Sequence, residues 1–145
     1  MPYQYRGDIA NADIAFDAWG KTLEELFEAA GRATIEVMVE NLAGIRPTET
    51  VEVALEETDQ EMLLFDFLNE LIFYKDARRL VLLPTRLEIA KTADGAGFAL
   101  KGTLKGEEIE AGRHRLNTDV KAVTLLRFKV AQVADGWRAT VVLDV

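Results

Sequence analysis

Cysteine is absent from the 145-residue chain. That excludes disulfides, thiolate nucleophiles, cysteine-based zinc sites and iron–sulfur clusters. A single histidine, His114, leaves no two-histidine metal site within one chain. Only three prolines occur (Pro2, Pro47, Pro84), and the ten glycines are scattered, so no linker, repeat or low-complexity stretch divides the sequence. One domain over 1–145 is the economical expectation. No apolar run approaches the roughly 20 residues of a membrane span, and Met1–Asp8 has no apolar signal core. These absences point to a cytoplasmic protein without membrane association. Phosphate-cradling glycine loops, GxSxG, HExxH and GxGxxG are also missing.

Positive charge is missing from one stretch in particular. Between Thr48 and Tyr74 stand eight acids (Glu49, Glu52, Glu56, Glu57, Asp59, Glu61, Asp66, Glu70) and no Lys or Arg. The remainder holds 17 residues of each sign, so the net charge of −8 belongs to that segment. Such a balance argues against direct tight binding to RNA, DNA or an anionic membrane. The segment itself reads as a solvated surface or as a partner-binding patch. Apolar residues make up 49% of the chain, which suits a soluble globular protein with a real core.

Periodicity predicts the elements. Ile14, Phe16 and Ala18 alternate with Asp13, Ala15 and Asp17, a strand over about 13–19. Thr22-Leu23-Glu24-Glu25 is a capping box opening an amphipathic helix over about 22–42. Thr50–Glu57 alternates again as a half-buried strand. Thr58-Asp59-Gln60-Glu61 is a second capping box, followed by a helix over Met62–Tyr74 that is apolar around most of its circumference. Its polar positions Asp66, Asn69 and Glu70 share a face. Beyond Arg79 the pattern is β, with strands at Leu80–Leu83, Arg86–Lys91, Gly97–Leu104, Lys121–Val133 and Trp137–Leu143. Asp94-Gly95 and Asp135-Gly136 are turn signals. Glu107–Thr118 reads as a polar loop or bent strand. The sum is an α+β fold, two helices packed on a mostly antiparallel β-sandwich of about seven strands.

Carboxylates are the reactive groups present in number. His114 is open to two readings, a general base or an exposed loop histidine, and its neighbours Arg113 and Arg115 favour the second. Hard cations such as Ca²⁺ or Mg²⁺ take oxygen ligands. Asp13 opens the first strand, and Asp144 precedes Val145 with its carboxylate. Such groups can bind a cation or simply be solvated.

Several stretches, in order along the chain, resemble the archease family, whose members assist the RNA-splicing ligase. The family pattern His-Thr-Ala-Asp-Val-Gly, then Gly-Lys-Thr-Leu-Glu-Glu, corresponds to Ala10-Asn11-Ala12-Asp13-Ile14-Ala15 and Gly20-Lys21-Thr22-Leu23-Glu24-Glu25. Leu-Leu-x-x-x-Leu-Asn-Glu-Leu is present as Leu63–Leu71, and Lys-Ala-Val-Thr as Lys121–Thr124, with His114 upstream. The chain closes on Val141-Val142-Leu143-Asp144-Val145, like the family's last strand. Departures mark a divergent member: Ala10 replaces the family histidine, Leu125-Leu126 replace Tyr-His, and Asp119 replaces a glutamate two residues before the lysine.

The resemblance implies an accessory protein rather than an enzyme. It would promote guanylylation and multiple turnover of a ligase that joins 2′,3′-cyclic phosphate or 3′-phosphate RNA ends to a 5′-hydroxyl, in tRNA splicing and RNA repair. It implies a divalent cation, Ca²⁺ or Mg²⁺, at Asp13, Asp144 and Val145, and partner-related roles for Lys121, Asp119 and His114. The competing expectation is a metal-binding interaction or chaperone-like module without a ligase.

Overall fold

The computed structural model describes residues 2–7 and 13–145. The elements run β1 (Tyr3–Arg6), β2 (Ile14–Gly20), α1 (Leu23–Met38), β3 (Glu49–Glu57), α2 (Gln60–Arg78), β4 (Leu80–Lys91), β5 (Phe98–Glu108), β6 (Ala122–Val133) and β7 (Gly136–Asp144). One sheet has the order β1-β2-β7-β6 and the other β3-β5-β4. Every neighbouring pair is antiparallel. The expected α+β class with two helices and two antiparallel sheets is what the chain forms. Among the described residues no helix is long and apolar enough to cross a membrane.

The helices lie between the sheets. α1 packs on β2 and β7 on one side and on β4 on the other, while α2 touches β6 of the first sheet and all three strands of the second. α1 tolerates this because Ala29, Ala30, Gly31 and Ala33 are small and buried. A Cβ on Gly31 would stand 3.3 Å from Leu71 and from Pro84. α2 is apolar on several sides for the same reason, with Leu63, Leu64, Phe67, Leu68, Leu71 and Ile72 all buried. A helix with only one neighbouring layer needs only one apolar stripe.

Both capping signals act as expected, one of them shifted by a residue. Thr22 accepts from the Glu25 N–H at 3.1 Å, and Glu25 reaches back to the Lys21 N–H at 2.7 Å. For α2 the cap is Asp59 rather than Thr58, accepting from the Met62 N–H at 2.8 Å. α1 ends at Met38, a turn before the expected 42, because Val39 turns extended and bridges Leu116. The main-chain carbonyls of Val37 and Met38 accept from the Thr118 and Asn117 N–H groups. The loop over 113–121 thereby fills carbonyls that a helix end leaves open.

The strands differ from expectation at both ends of the chain. β1 is too short for a periodicity signal, and pairs Tyr3 with Ala18. The stretches at 80–83 and 86–91 form one strand, β4, with a register irregularity between Pro84 and Arg86. Proline cannot donate to a ladder, so it sits on an edge strand at a bulge. β6 is likewise continuous but irregular between Thr124 and Lys129, with Arg127 at φ 53°.

Candidate functional site

The register of the first sheet gathers the residues at its end. Ile14 pairs with Leu143 across β2 and β7. Asp13 precedes Ile14 and Asp144 follows Leu143, so the two flank the end of this ladder. On the other side of β7, Ala122 of β6 pairs with Asp144, and the Lys121 N–H donates to the Asp144 carbonyl at 2.8 Å. Asp13, Lys121, Asp144 and Val145 thus meet at one end of the sheet. Asp13 also lines a cleft of about 560 Å³ with Arg6, Glu36, Glu40, Asn117 and Thr118. Ala10, Asn11 and Ala12 of the same motif lie outside the described residues.

Asp17, four residues after Asp13 and paired with Thr140, has a different task. It is buried, and its carboxylate accepts from Thr140 at 2.7 Å, Arg138 at 3.0 Å and Arg6 at 3.3 Å. Those bonds fill its oxygens. Among the described residues Asp13 and Asp144 form no comparable set of side-chain bonds, and carboxylate oxygens are the ligands hard cations take. Among the described residues no group of three or more His, Cys, Asp or Glu side chains is placed to hold a metal.

Lys121 is exposed, but its main chain is anchored by a residue that the sequence reading passed over. Lys75 of α2 is buried and bonds Asp119 at 2.6 Å, the Val120 carbonyl at 2.8 Å and Asp76 at 2.5 Å. Burial pushes the ammonium pKa down, but the bonds from Asp119 and Asp76 outweigh this and raise it. Asp119 therefore acts within the chain, as an anchor of the strand entry that carries Lys121. A signal was present: Lys75 falls four residues after the buried Leu71, on the apolar stripe of α2.

His114 corrects an expectation. It is buried, not an exposed loop residue. Its Nδ1 accepts from the Glu110 N–H at 2.9 Å, so the network assigns the ring proton to Nε2, which donates to Glu107 at 2.9 Å. Glu107 also accepts from the Arg46 N–H at 2.7 Å and pairs with Arg113. Burial alone would raise the Glu107 pKa. The bonds from Arg46, His114 and Arg113 reverse this and hold it at about 2. This buried cluster ties β5 to the loop around Arg46 and to 110–114, and it contains none of the residues gathered at Asp144.

The acidic segment divides. Glu52 accepts from Thr103, Asp59 caps α2, and Glu61 accepts from the Val130 N–H at 3.0 Å. Asp66 has no such compensation. Burial, a hydrogen bond shared with Glu57, and the charges of Glu57 and Glu70 raise its pKa to about 6. An acid whose folded pKa is raised favours the folded state once protonated, so stability should rise as pH falls from 7 towards 5. Thermal unfolding over that range is expected to show a rising Tm, and Asp66→Asn to flatten the rise.

Comparison with known proteins adds a second line. The model of the Archease protein family matches residues 3–145. Protein archease of Thermococcus kodakarensis is 39% identical over 134 residues, 92% of either chain. That of Methanosarcina acetivorans is 36% identical over 135 residues, covering 92% of this chain and 90% of the relative. The solution structure of Methanobacterium thermoautotrophicum protein 1598 superposes with a TM-score of 0.84 at 32% identity, covering 99% of both chains.

Proposed function

The chain belongs to the archease family, and we propose on that footing that it is an accessory protein of an RNA-splicing ligase rather than an enzyme. The observation that carries the proposal is the convergence at the end of the first sheet. Asp13 and Asp144 flank the last pair of the β2–β7 ladder, Ile14 with Leu143, and Lys121 is bonded through its main chain to Asp144, which supports this reading. Sequence motifs far apart in the chain meet there, which no local structural need explains.

Asp13, Asp144 and Val145 would hold a divalent cation, all through oxygen, which suits Ca²⁺ or Mg²⁺. A cation so held neutralises and orients phosphate oxygens. Lys121 places a second positive charge at the same sheet end, as a compact point charge suited to phosphate. The buried Lys75 and the carbonyls of α1 hold the loop that presents it. Together these groups favour a ligase nucleotide site poised for guanylylation, in the cytoplasm. The net charge of −8, carried by the segment between Thr48 and Tyr74, leaves RNA contact to the ligase itself.

The test is ligase guanylylation with and without this protein. Wild type is expected to accelerate it. Asp144→Ala and a variant extended beyond Val145 are each expected to lose most of the stimulation while melting like wild type. Full stimulation by both variants would remove the carboxylate site from the proposal. No stimulation by wild type would remove the ligase role.

A further inference from the structure

α2 carries a large apolar side chain on a face that is otherwise acidic. Phe73 is 55% exposed. It follows Asp66 by seven residues and Glu70 by three, so the three side chains share one face of the helix. Asp76 continues that face, and Glu57 at the end of β3 shares a hydrogen bond with Asp66. Glu57, Asp66, Glu70 and Phe73 lie in the stretch without any Lys or Arg, while Asp76 lies beyond it and pairs with Lys75.

Glu52, Asp59 and Glu61 have work inside the fold, but these do not. Among the described residues Glu57, Asp66 and Glu70 form no ion pair. Burial and the neighbouring carboxylates of Glu57 and Glu70 raise the Asp66 pKa, since like charges held together repel one another. A cationic partner would relieve that repulsion on contact. An exposed aromatic ring is the side chain that most often anchors a protein interface, with charge at the rim setting partner choice.

We propose that the face of α2 formed by Asp66, Glu70 and Phe73, with Glu57 beside it, docks a protein surface that presents arginine or lysine side chains around an apolar hollow. The identity of the partner rests on the function proposed above: an RNA-binding ligase must carry basic surface to hold phosphates. Charge disfavours the other occupants. Two copies of this face would set carboxylates against carboxylates, and RNA would meet only acid.

The experiment measures binding of the purified RNA-splicing ligase to wild type, Phe73→Ala and Glu70→Lys. Each substitution is expected to weaken Kd by tenfold or more, and wild-type binding to fall with added salt more steeply than that of Glu70→Lys. Glu70→Lys puts a positive charge four residues after Asp66, which supports the helix. Its Tm should equal or exceed that of wild type, so its loss of binding is not a loss of fold. At saturating concentration Phe73→Ala should still stimulate guanylylation fully. Wild-type affinity in both variants overturns the docking surface and leaves the ligase role standing. Failure of wild type to bind the ligase overturns both. A wild-type dimer that Phe73→Ala dissociates reassigns the face to self-contact and overturns the proposal.

Discussion

Glu107→Ala is expected to cost the fold about 3–5 kcal/mol, the magnitude of breaking a buried, hydrogen-bonded charge pair by removing one partner. The carboxylate accepts from the Arg46 N–H, the His114 ring and Arg113. Alanine leaves the ring N–H and the main-chain N–H in a buried place without an acceptor, each of which is costly. Arg113 keeps Glu110 and the Gly44 carbonyl, so its loss is smaller. Glu107→Gln should cost less, because the amide oxygen still accepts. Urea unfolding measures both, and a loss below about 1 kcal/mol for alanine would contradict the network. The same group predicts the acid limb of stability. Its folded pKa is depressed from 4.5 to about 2. Its contribution is therefore complete above 4.5 and lost as pH falls from there towards 2. Joined to the rise from Asp66 at higher pH, this places the stability maximum near pH 5.

What was legible in the sequence was what local physics decides. Alternation at Val51 and Val53 forecast their burial, and the helix N-termini followed from hydroxyl and carboxylate caps. The Asp-Gly turns held because Gly95 and Gly136 take the positive φ that glycine favours. Partners distant in sequence decided the rest. Leu42 fits the helical phase of α1, yet Val39 leaves the helix for Leu116, more than 70 positions away. His114 has basic neighbours in sequence, but the acid it meets in space is Glu107. The site was legible by resemblance only. Asp13 and Asp144 stand at opposite ends of the chain, and it is the β2–β7 pairing of Ile14 with Leu143 that brings their neighbours together.

Lys75→Ala is expected to cost about 2–4 kcal/mol and to lower ligase stimulation more than its stability loss accounts for. The range follows from removing a buried ammonium whose partners are a carboxylate and a carbonyl. Asp119 is exposed and can turn to water, which moderates the loss, but the Val120 carbonyl remains buried. Asp119→Ala should therefore cost less than about 1 kcal/mol, since Lys75 retains Asp76 and that carbonyl. Lys75→Met separates packing from hydrogen bonding: it refills the space and should recover part of the stability but none of the anchoring. Hydrogen exchange provides the readout. The Lys121 N–H is protected by the Asp144 carbonyl, and the Asn117 and Thr118 N–H groups by the end of α1. In Lys75→Ala and Lys75→Met alike, protection at Lys121 should fall first, because Lys75 grips the carbonyl of Val120 next to it. Protection at Asn117 and Thr118, held by α1 itself, should fall less. Equal loss at all three would mean that the loop opens as one body and that Lys75 adds general stability without positioning Lys121.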